Sequence, residues 1–295
     1  MWESIWEEGT NMTYINSSES LVLQDVSIDR ILENGQIVPR LQQLDFALAP
    51  GEWVNLAGVN GSGKSSLARL LAGLTIEGVR GTWSRGFAGN RPSPYIMQHP
   101  DAQLFAETPR EEVRFALEWR RLEPDMIMQL TEEILAFTGL TAIGDTPWEH
   151  LSGGQRQLAA VAAASAGESP LIVFDEATSM LDEQSMQLVY RLARKLNERG
   201  TAVVWVTQRL QEIEASSRVA ALTEGQIVFD GTGHAFLYGA DDETGLTPCQ
   251  ACGLRLPYLS ALALELGRLG KLQPPYPETP EEWEAVLQGI VAVPV

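Results

Sequence analysis

The sequence predicts an α/β protein, and three observations carry that prediction. Short, mostly apolar runs at residues 53–57, 171–174 and 201–206 have the length and composition of buried strands. Stretches between them carry apolar residues at helical spacing, as at Val113 and Leu117 or at Ile127, Leu130, Ile134 and Phe137. The third observation is Gly58-Val59-Asn60-Gly61-Ser62-Gly63-Lys64-Ser65, which fits the phosphate-binding pattern G-x-x-x-x-G-K-[ST] at every specified position. It follows the first apolar run and precedes an apolar helix opened by Ser66-Leu67-Ala68. Strand, glycine loop and helix in that order describe a P-loop NTPase core.

Residues 1–20 are acidic and aperiodic and are expected to form a loose tail. Leu21, Leu23, Val26 and Ile28 alternate with polar residues, which predicts strands, and Asn34-Gly35 predicts a turn. Residues 44–48 read as another strand closed by Pro50-Gly51, and residues 81–87 as an outer antiparallel strand. From about 98 to 165 the pattern is helical, with helices over 110–121 and 126–138 punctuated by Pro124 and Gly139. This region reads as a helical insertion in the α/β core. A helix over 184–199 stops at Gly200, a residue suited to the left-handed position after a helix. Residues 219–222 begin a hairpin around Glu224-Gly225. Beyond about 236 the composition changes: a helix over 256–269, a Pro-rich turn at 273–277, and Thr279-Pro280-Glu281-Glu282. The last supplies an N-cap, a first-turn proline and a capping-box glutamate for a helix to about residue 288. The expected division is therefore a tail (1–20), an α/β domain (21–235) with its helical subdomain at about 98–165, and a C-terminal helical extension (236–295).

Composition narrows the function. A chain of 295 residues can bury a large core, and 44% apolar with 20% charged residues is ordinary for a globular protein. The net charge of −18 speaks against a nucleic-acid partner, which would call for a basic face. It serves either solubility or a partner with basic loops. No run of 18 apolar residues occurs, so no membrane span is expected. Glu3, Glu7 and Glu8 stand where a secretory signal would carry Lys or Arg, so a cytoplasmic protein is expected. Cys249 and Cys252 are too few for a disulfide framework or a four-ligand zinc site, and are expected to be a reduced, incidental pair. The tryptophans at 53, 83 and 205 fall in expected strands and read as core or sheet-face residues.

The glycines of the loop let successive N–H groups point into one anion-sized hollow at the positive end of the next helix. Gly58, Asn60, Gly61, Ser62, Gly63 and Ser66 are the candidate cradle, Lys64 would reach the outer phosphates, and the Ser65 hydroxyl would hold Mg²⁺. Asp175-Glu176 ends the second apolar run. A carboxylate there can hold Mg²⁺ through water, and its neighbour can orient and deprotonate an attacking water. Leu151-Ser152-Gly153-Gly154-Gln155 admits two readings. Ser152 and Gln155 make an S-x-x-Q capping box, and Ser152-Gly153-Gly154 offers a second helix start to phosphate.

With LSGGQ directly before the second acidic motif, residues 21–235 resemble the ATP-binding-cassette (ABC) ATPases. The resemblance implies a RecA-like core with an antiparallel β subdomain, and a pair of subunits that sandwich two ATP molecules. In such a pair the Ser152–Gln155 stretch of one subunit faces the phosphate loop of the other. It further implies that Gln98 contacts Mg²⁺ and senses a membrane subunit, and that Asp182, in Ser179-Met180-Leu181-Asp182, crosses the dimer interface. In Val206-Thr207-Gln208-Arg209 the family's switch histidine is replaced by Gln208, and the three histidines, at 99, 150 and 234, lie elsewhere. The adenine-stacking aromatic is replaced by Arg30, whose guanidinium can stack on a base or simply lie at the surface.

Gln98-His99-Pro100-Asp101-Ala102-Gln103-Leu104-Phe105, the stretch 111–117 and Asp175-Glu176-Ala177-Thr178 are similar to the ATPases of energy-coupling-factor (ECF) transporters. That resemblance implies a second ATPase subunit, a transmembrane coupling protein and a membrane substrate-binding protein, placed at the cytoplasmic face of the cell membrane, with import of a vitamin or a transition-metal ion. Two other functions compete. Gln208 keeps open a slow, regulatory nucleotide-binding subunit. A DNA-maintenance ATPase would need a long coiled coil and a basic surface, and the sequence has neither.

Overall fold

The computed structural model describes residues 18–31, 35–240 and 244–291. The expected tail lies almost wholly outside them, as does Asn34 of the expected turn. The fold is built on two sheets. The first joins β1 (Leu21–Ile31), β2 (Ile37–Leu48) and β4 (Val79–Ser84) antiparallel in the order β2-β1-β4. The second has six strands in the order β5-β6-β7-β3-β8-β9. These are β3 (Trp53–Ala57), β5 (Tyr95–Met97), β6 (Leu171–Asp175), β7 (Ala202–Val206), β8 (Arg218–Thr223) and β9 (Gln226–Thr232). They pair parallel except for the β8–β9 hairpin, in which Glu224 and Gly225 take the positive φ of the turn (50° and 81°).

The central strands are apolar throughout because both their faces are covered. Val54, Leu56, Leu171, Val173, Val204 and Val206 pack with the antiparallel sheet and with α1 (Lys64–Leu71). The alternate residues Trp53, Ile172, Phe174, Val203 and Trp205 pack against the helices on the other side. Those helices are α2 (Pro109–Glu118), α3 (Pro124–Thr138), α4 (Gly153–Ala166) and α5 (Glu183–Glu198). On this side Trp53 and Trp205 stack at 5.4 Å, and Arg194 lies 3.9 Å over the Trp53 ring.

β1 shows how a broken alternation still buries one face. Leu21 and Leu23 are out of phase with Val26 and Ile28, yet all four are buried. A bulge at Asp25 (φ 50°) shifts the register between Leu23 and Val26 and restores the phase. The Asp25 N–H freed by the bulge donates to Asp45 Oδ1 at 2.8 Å. In β2, Gln43 (φ 46°) likewise donates its N–H to Ser27 Oγ at 2.9 Å.

Several boundaries move. The strand expected over 81–87 is β4 at Val79–Ser84. Phe87 instead lies buried in a 3₁₀ turn, with its N–H on the Glu19 carbonyl at 2.9 Å, and the chain passes so close there that only glycine fits at Gly86 (φ 43°). α2 stops at Glu118, and the helix expected from 256 starts at Tyr258, behind Pro257. After β9 come α6 (Gly233–Tyr238), α7 (Pro248–Ala251), α8 (Tyr258–Arg268) and α9 (Pro280–Val291). Cys249 and Cys252 are buried, unpaired thiols packed with Phe236 and Ala221. Burial pushes the Cys249 thiol up to about 12. At α9 the Thr279 hydroxyl accepts from the Glu282 N–H while the Glu282 carboxylate takes the Thr279 N–H, both at 3.2 Å. No helix of the described residues is long and apolar enough to cross a membrane.

Candidate functional site

The phosphate loop leaves the end of β3 and turns into α1. Its backbone is left-handed at Gly58, Gly61 and Gly63 (φ 147°, 82° and 107°). A Cβ would stand 2.4 Å from the Leu222 carbonyl oxygen at Gly58 and 2.7 Å from that of Arg40 at Gly63. Only glycine fits either position. The β8–β9 turn braces the loop from outside, with the Gly225 N–H on the Ser62 carbonyl at 2.9 Å. Gly63 caps α1 without any side-chain bond, so the first-turn N–H groups carry no side-chain acceptor. The Ser62 hydroxyl is buried and without a hydrogen-bond partner. An orphaned donor beside an uncapped helix start fits a phosphate group.

Lys64 is 4% exposed and lies across this hollow, its Nζ donating to the carbonyls of Gly58 (2.9 Å) and Val59 (3.0 Å). Burial lowers its pKa, and the carboxylates of Glu176 and Asp175 act in the opposite direction. Glu176 Oε1 stands 4.0 Å from the ammonium. Ser66 follows on the first turn of α1.

Asp175 ends β6 beneath the loop. Its Oδ1 accepts from the Ser65 hydroxyl at 3.1 Å, and its Oδ2 from the Tyr95 hydroxyl at 2.5 Å. Burial and the Asp175 charge push the Tyr95 pKa up, so the phenol keeps its proton and donates. Two hard oxygen donors converge here from separate elements, a donor set suited to Mg²⁺. Gln98 follows β5, whose last residue, Met97, is the ladder partner of Asp175.

Glu176 adopts a left-handed backbone (φ 51°), and its N–H donates to the Val206 carbonyl at 3.0 Å. Its Oε1 accepts from Gln208 Nε2 at 2.5 Å, and the same amide nitrogen donates to Asn60 Oδ1 at 2.8 Å. One glutamine thus ties the loop to the acid.

The remaining candidates stand apart from this cluster. Ser152 and Gln155 form the reciprocal capping box of α4, at 2.9 and 3.2 Å. Beside them Gly153 has open space where a Cβ would stand, whereas at Gly154 it would meet Ser185 Oγ at 2.4 Å. Asp182 caps α5 through the Ser185 N–H (2.8 Å) and hydroxyl (3.2 Å), which hold its carboxyl below the usual range. Arg30 is exposed and faces Val38 across the β1–β2 ladder.

Two further residues join the site that no sequence pattern marked. One is Tyr95. The other is Glu212, a buried carboxylate accepting from Thr178 Oγ1 (2.6 Å), Thr207 Oγ1 (2.6 Å) and Trp205 Nε1 (3.0 Å). It ties the segment after Glu176 to the one before Gln208. A lone tyrosine ahead of a loop, or a glutamate in a short polar turn, carries no spacing that separates it from a surface residue. Among the described residues no group of three or more His, Cys, Asp or Glu is placed to hold a metal by itself.

Comparison with known proteins extends the geometry. The ABC transporter family model matches residues 41–179. An energy-coupling factor transporter ATP-binding protein of Halalkalibacterium halodurans is 31% identical over 261 residues, which cover 85% of this chain and 91% of the relative. One from Methanosarcina acetivorans is 32% identical over 66% of this chain and 74% of the relative. Among solved structures, cbiO1 of Clostridium perfringens, part of the ABC transporter complex cbiONQ, superimposes with TM-score 0.62 at 22% identity, over 82% of this chain and 97% of that one. A dimeric bacterial ABC transporter cassette gives TM-score 0.64 at 23% identity over 73% of this chain and all of its own. The structures share the fold, and the sequence likeness runs nearly the whole length of the first relative. The chain belongs to the ABC ATPases, and within them to the ECF-type ATP-binding proteins.

Proposed function

We propose that this chain hydrolyses ATP at the cytoplasmic face of a membrane and couples that hydrolysis to uptake of a vitamin or a transition-metal ion. It would work beside a second ATPase subunit, under a transmembrane coupling protein and a membrane substrate-binding protein. Residues 21–235 are the ATPase unit and 236–295 its extension. The observation that carries the reading is the convergence of Lys64, Ser65, Asp175 and Glu176 at one uncapped helix start, in a chain similar to ECF ATP-binding proteins. The loop N–H groups and Ser62 bind phosphate oxygens, and Lys64 balances their charge. Ser65, Asp175 and Gln98 would hold Mg²⁺, which supplies charge neutralisation at the phosphates. Glu176 accepts the proton of the attacking water. Ser152, Gly153 and Gly154 face the ATP of the other subunit, and Arg30 lies on the side of the base.

The segment from Gln98 to Phe105 is the proposed docking site for the membrane subunit. The buried Glu112 carboxylate takes the N–H groups of Phe105 and Ala106, each at 2.9 Å. Held in this way, the Phe105 side chain stays 80% exposed, at the head of an aromatic row with Phe115 and Trp119. The −18 charge should steer a basic partner and make assembly salt-sensitive. A pull-down from detergent-solubilised membranes at low salt should recover an integral membrane protein. Recovery of none would overturn the docking reading.

A second reading, of a slow site, is favoured by the Gln208 amide seated on Glu176 at 2.5 Å. A neutral amide holds a developing phosphate charge less well than an imidazolium. If the partner has its own histidine, Gly153→Asp, which sets a carboxylate against the partner's ATP, should lower turnover of the assembled complex more than Glu176→Gln. Loss of all turnover with Glu176→Gln alone would show this chain's site to be the main engine.

A further inference from the structure

Asp175 is held from two sides. Ser65 occupies one carboxylate oxygen at 3.1 Å and Tyr95 the other at 2.5 Å. We propose that Tyr95 is a positioning residue for the metal site: its hydroxyl fixes the Asp175 carboxylate with Oδ1 toward Ser65, and so sets the Mg²⁺ affinity of the nucleotide site. The inference rests on the reading that Ser65 and Asp175 hold Mg²⁺.

The terminal torsion of an aspartate is broad, so a carboxylate with one partner at a strand end swings readily. A donor on the second oxygen removes that freedom, as outer partners of metal ligands commonly do. Tyr95 can serve because its own backbone is clamped. Gln103 accepts the Met97 N–H at 2.9 Å and donates to the Tyr95 carbonyl. Gln157 of α4 donates to the Met97 carbonyl at 3.1 Å. The short strand β5 is thus pinned by one side chain from the proposed docking segment and one from the helix that follows Ser152. The Tyr95 hydroxyl is delivered to Asp175 from this clamped strand, and a shift of Gln103 on docking would reach the metal ligand's second oxygen through this bond.

The test is the Mg²⁺ dependence of ATP binding by the full chain, measured by calorimetry at graded Mg²⁺ and in EDTA. Tyr95→Phe keeps the ring and removes only the hydroxyl. It should raise the Mg²⁺ concentration for half-maximal tightening by about tenfold and leave affinity in EDTA unchanged. In an Asp175→Asn background the same change should have no further effect. A melting curve of each variant sets the working temperature well inside its folded range. An unchanged Mg²⁺ midpoint, or an equal loss with and without Mg²⁺, would overturn the proposal, the latter by showing a general packing role. If ATP binding by the unaltered chain does not respond to Mg²⁺ at all, the metal reading itself fails and this inference with it.

Discussion

The two helices that open on glycines beside a phosphate-directed motif, α1 and α4, start in opposite ways. α1 begins at Gly63 with no side-chain cap, a buried unpartnered Ser62 hydroxyl and a lysine folded back on loop carbonyls. α4 begins at Ser152 with a complete reciprocal capping box. An uncapped start leaves donors open to solvent or to a ligand, whereas a boxed start has its own side-chain partners. The first is therefore the proposed binding site within one chain. At the second, the open face of Gly153 is available to something outside it.

The widest gap between the two starts should appear on removing Lys64. Lys64→Ala uncovers the Gly58 and Val59 carbonyls and unpairs phosphate charge, which should cost about 2–5 kcal/mol of ATP affinity by calorimetry. Undiminished binding would break the assignment of the α1 start.

Alanine at the glycines sharpens the contrast in stability. Gly63→Ala meets both a φ of 107° and the Arg40 carbonyl at 2.7 Å, and should lose about 1–3 kcal/mol in urea unfolding. Gly154→Ala pushes on Ser185, which itself binds the Asp182 cap, and should lose about 1 kcal/mol. Gly153→Ala meets nothing within 4 Å and should be neutral or up to about 1 kcal/mol stabilising. Equal losses at Gly63 and Gly153 would show that the two starts are not built differently.

The smallest effect is one of pH. Burial lowers the Lys64 pKa, so the folded chain without ATP binds fewer protons than the unfolded chain between that lowered value and the ordinary lysine value. Its stability should therefore rise with pH across that window. Triphosphate favours the ammonium, so ATP affinity should fall as pH climbs through the same window. Titrations from pH 7 to 10 check the sign, and Lys64→Arg, which keeps its charge, should flatten the trend.

Local chemistry made much of this legible. Gly58 to Ser65 lies on contiguous residues, and the run ending in Asp175-Glu176 is apolar because both its faces are covered. The hairpin at Glu224-Gly225 and the stop at Gly200 (φ 94°) are likewise local backbone demands. The boundary errors have two causes. Where β4 gives way to the turn that holds Phe87 depends on contacts with Glu19 and Ser20, far off in sequence, whereas the start of α8 is set locally by Pro257 just before it. The bulge at Asp25 falls between Leu23 and Val26, and the partner that satisfies its N–H, Asp45, belongs to another strand.

The sequence by itself determined the class of chemistry, because a phosphate cradle, a metal-suited hydroxyl and a strand ending in two acids each occupy neighbouring residues. Only the tertiary structure decided which distant side chains meet those groups. Tyr95 reaches Asp175 across 80 residues, and Gln208 reaches Asn60 across 148. Glu212 gathers donors from β7 and from the segment after Glu176. Such bonds depend on the order of strands in the parallel sheet, where β6 lies between β5 and β7. Strand order is set by long crossovers whose ends carry no local mark of the neighbour they will meet.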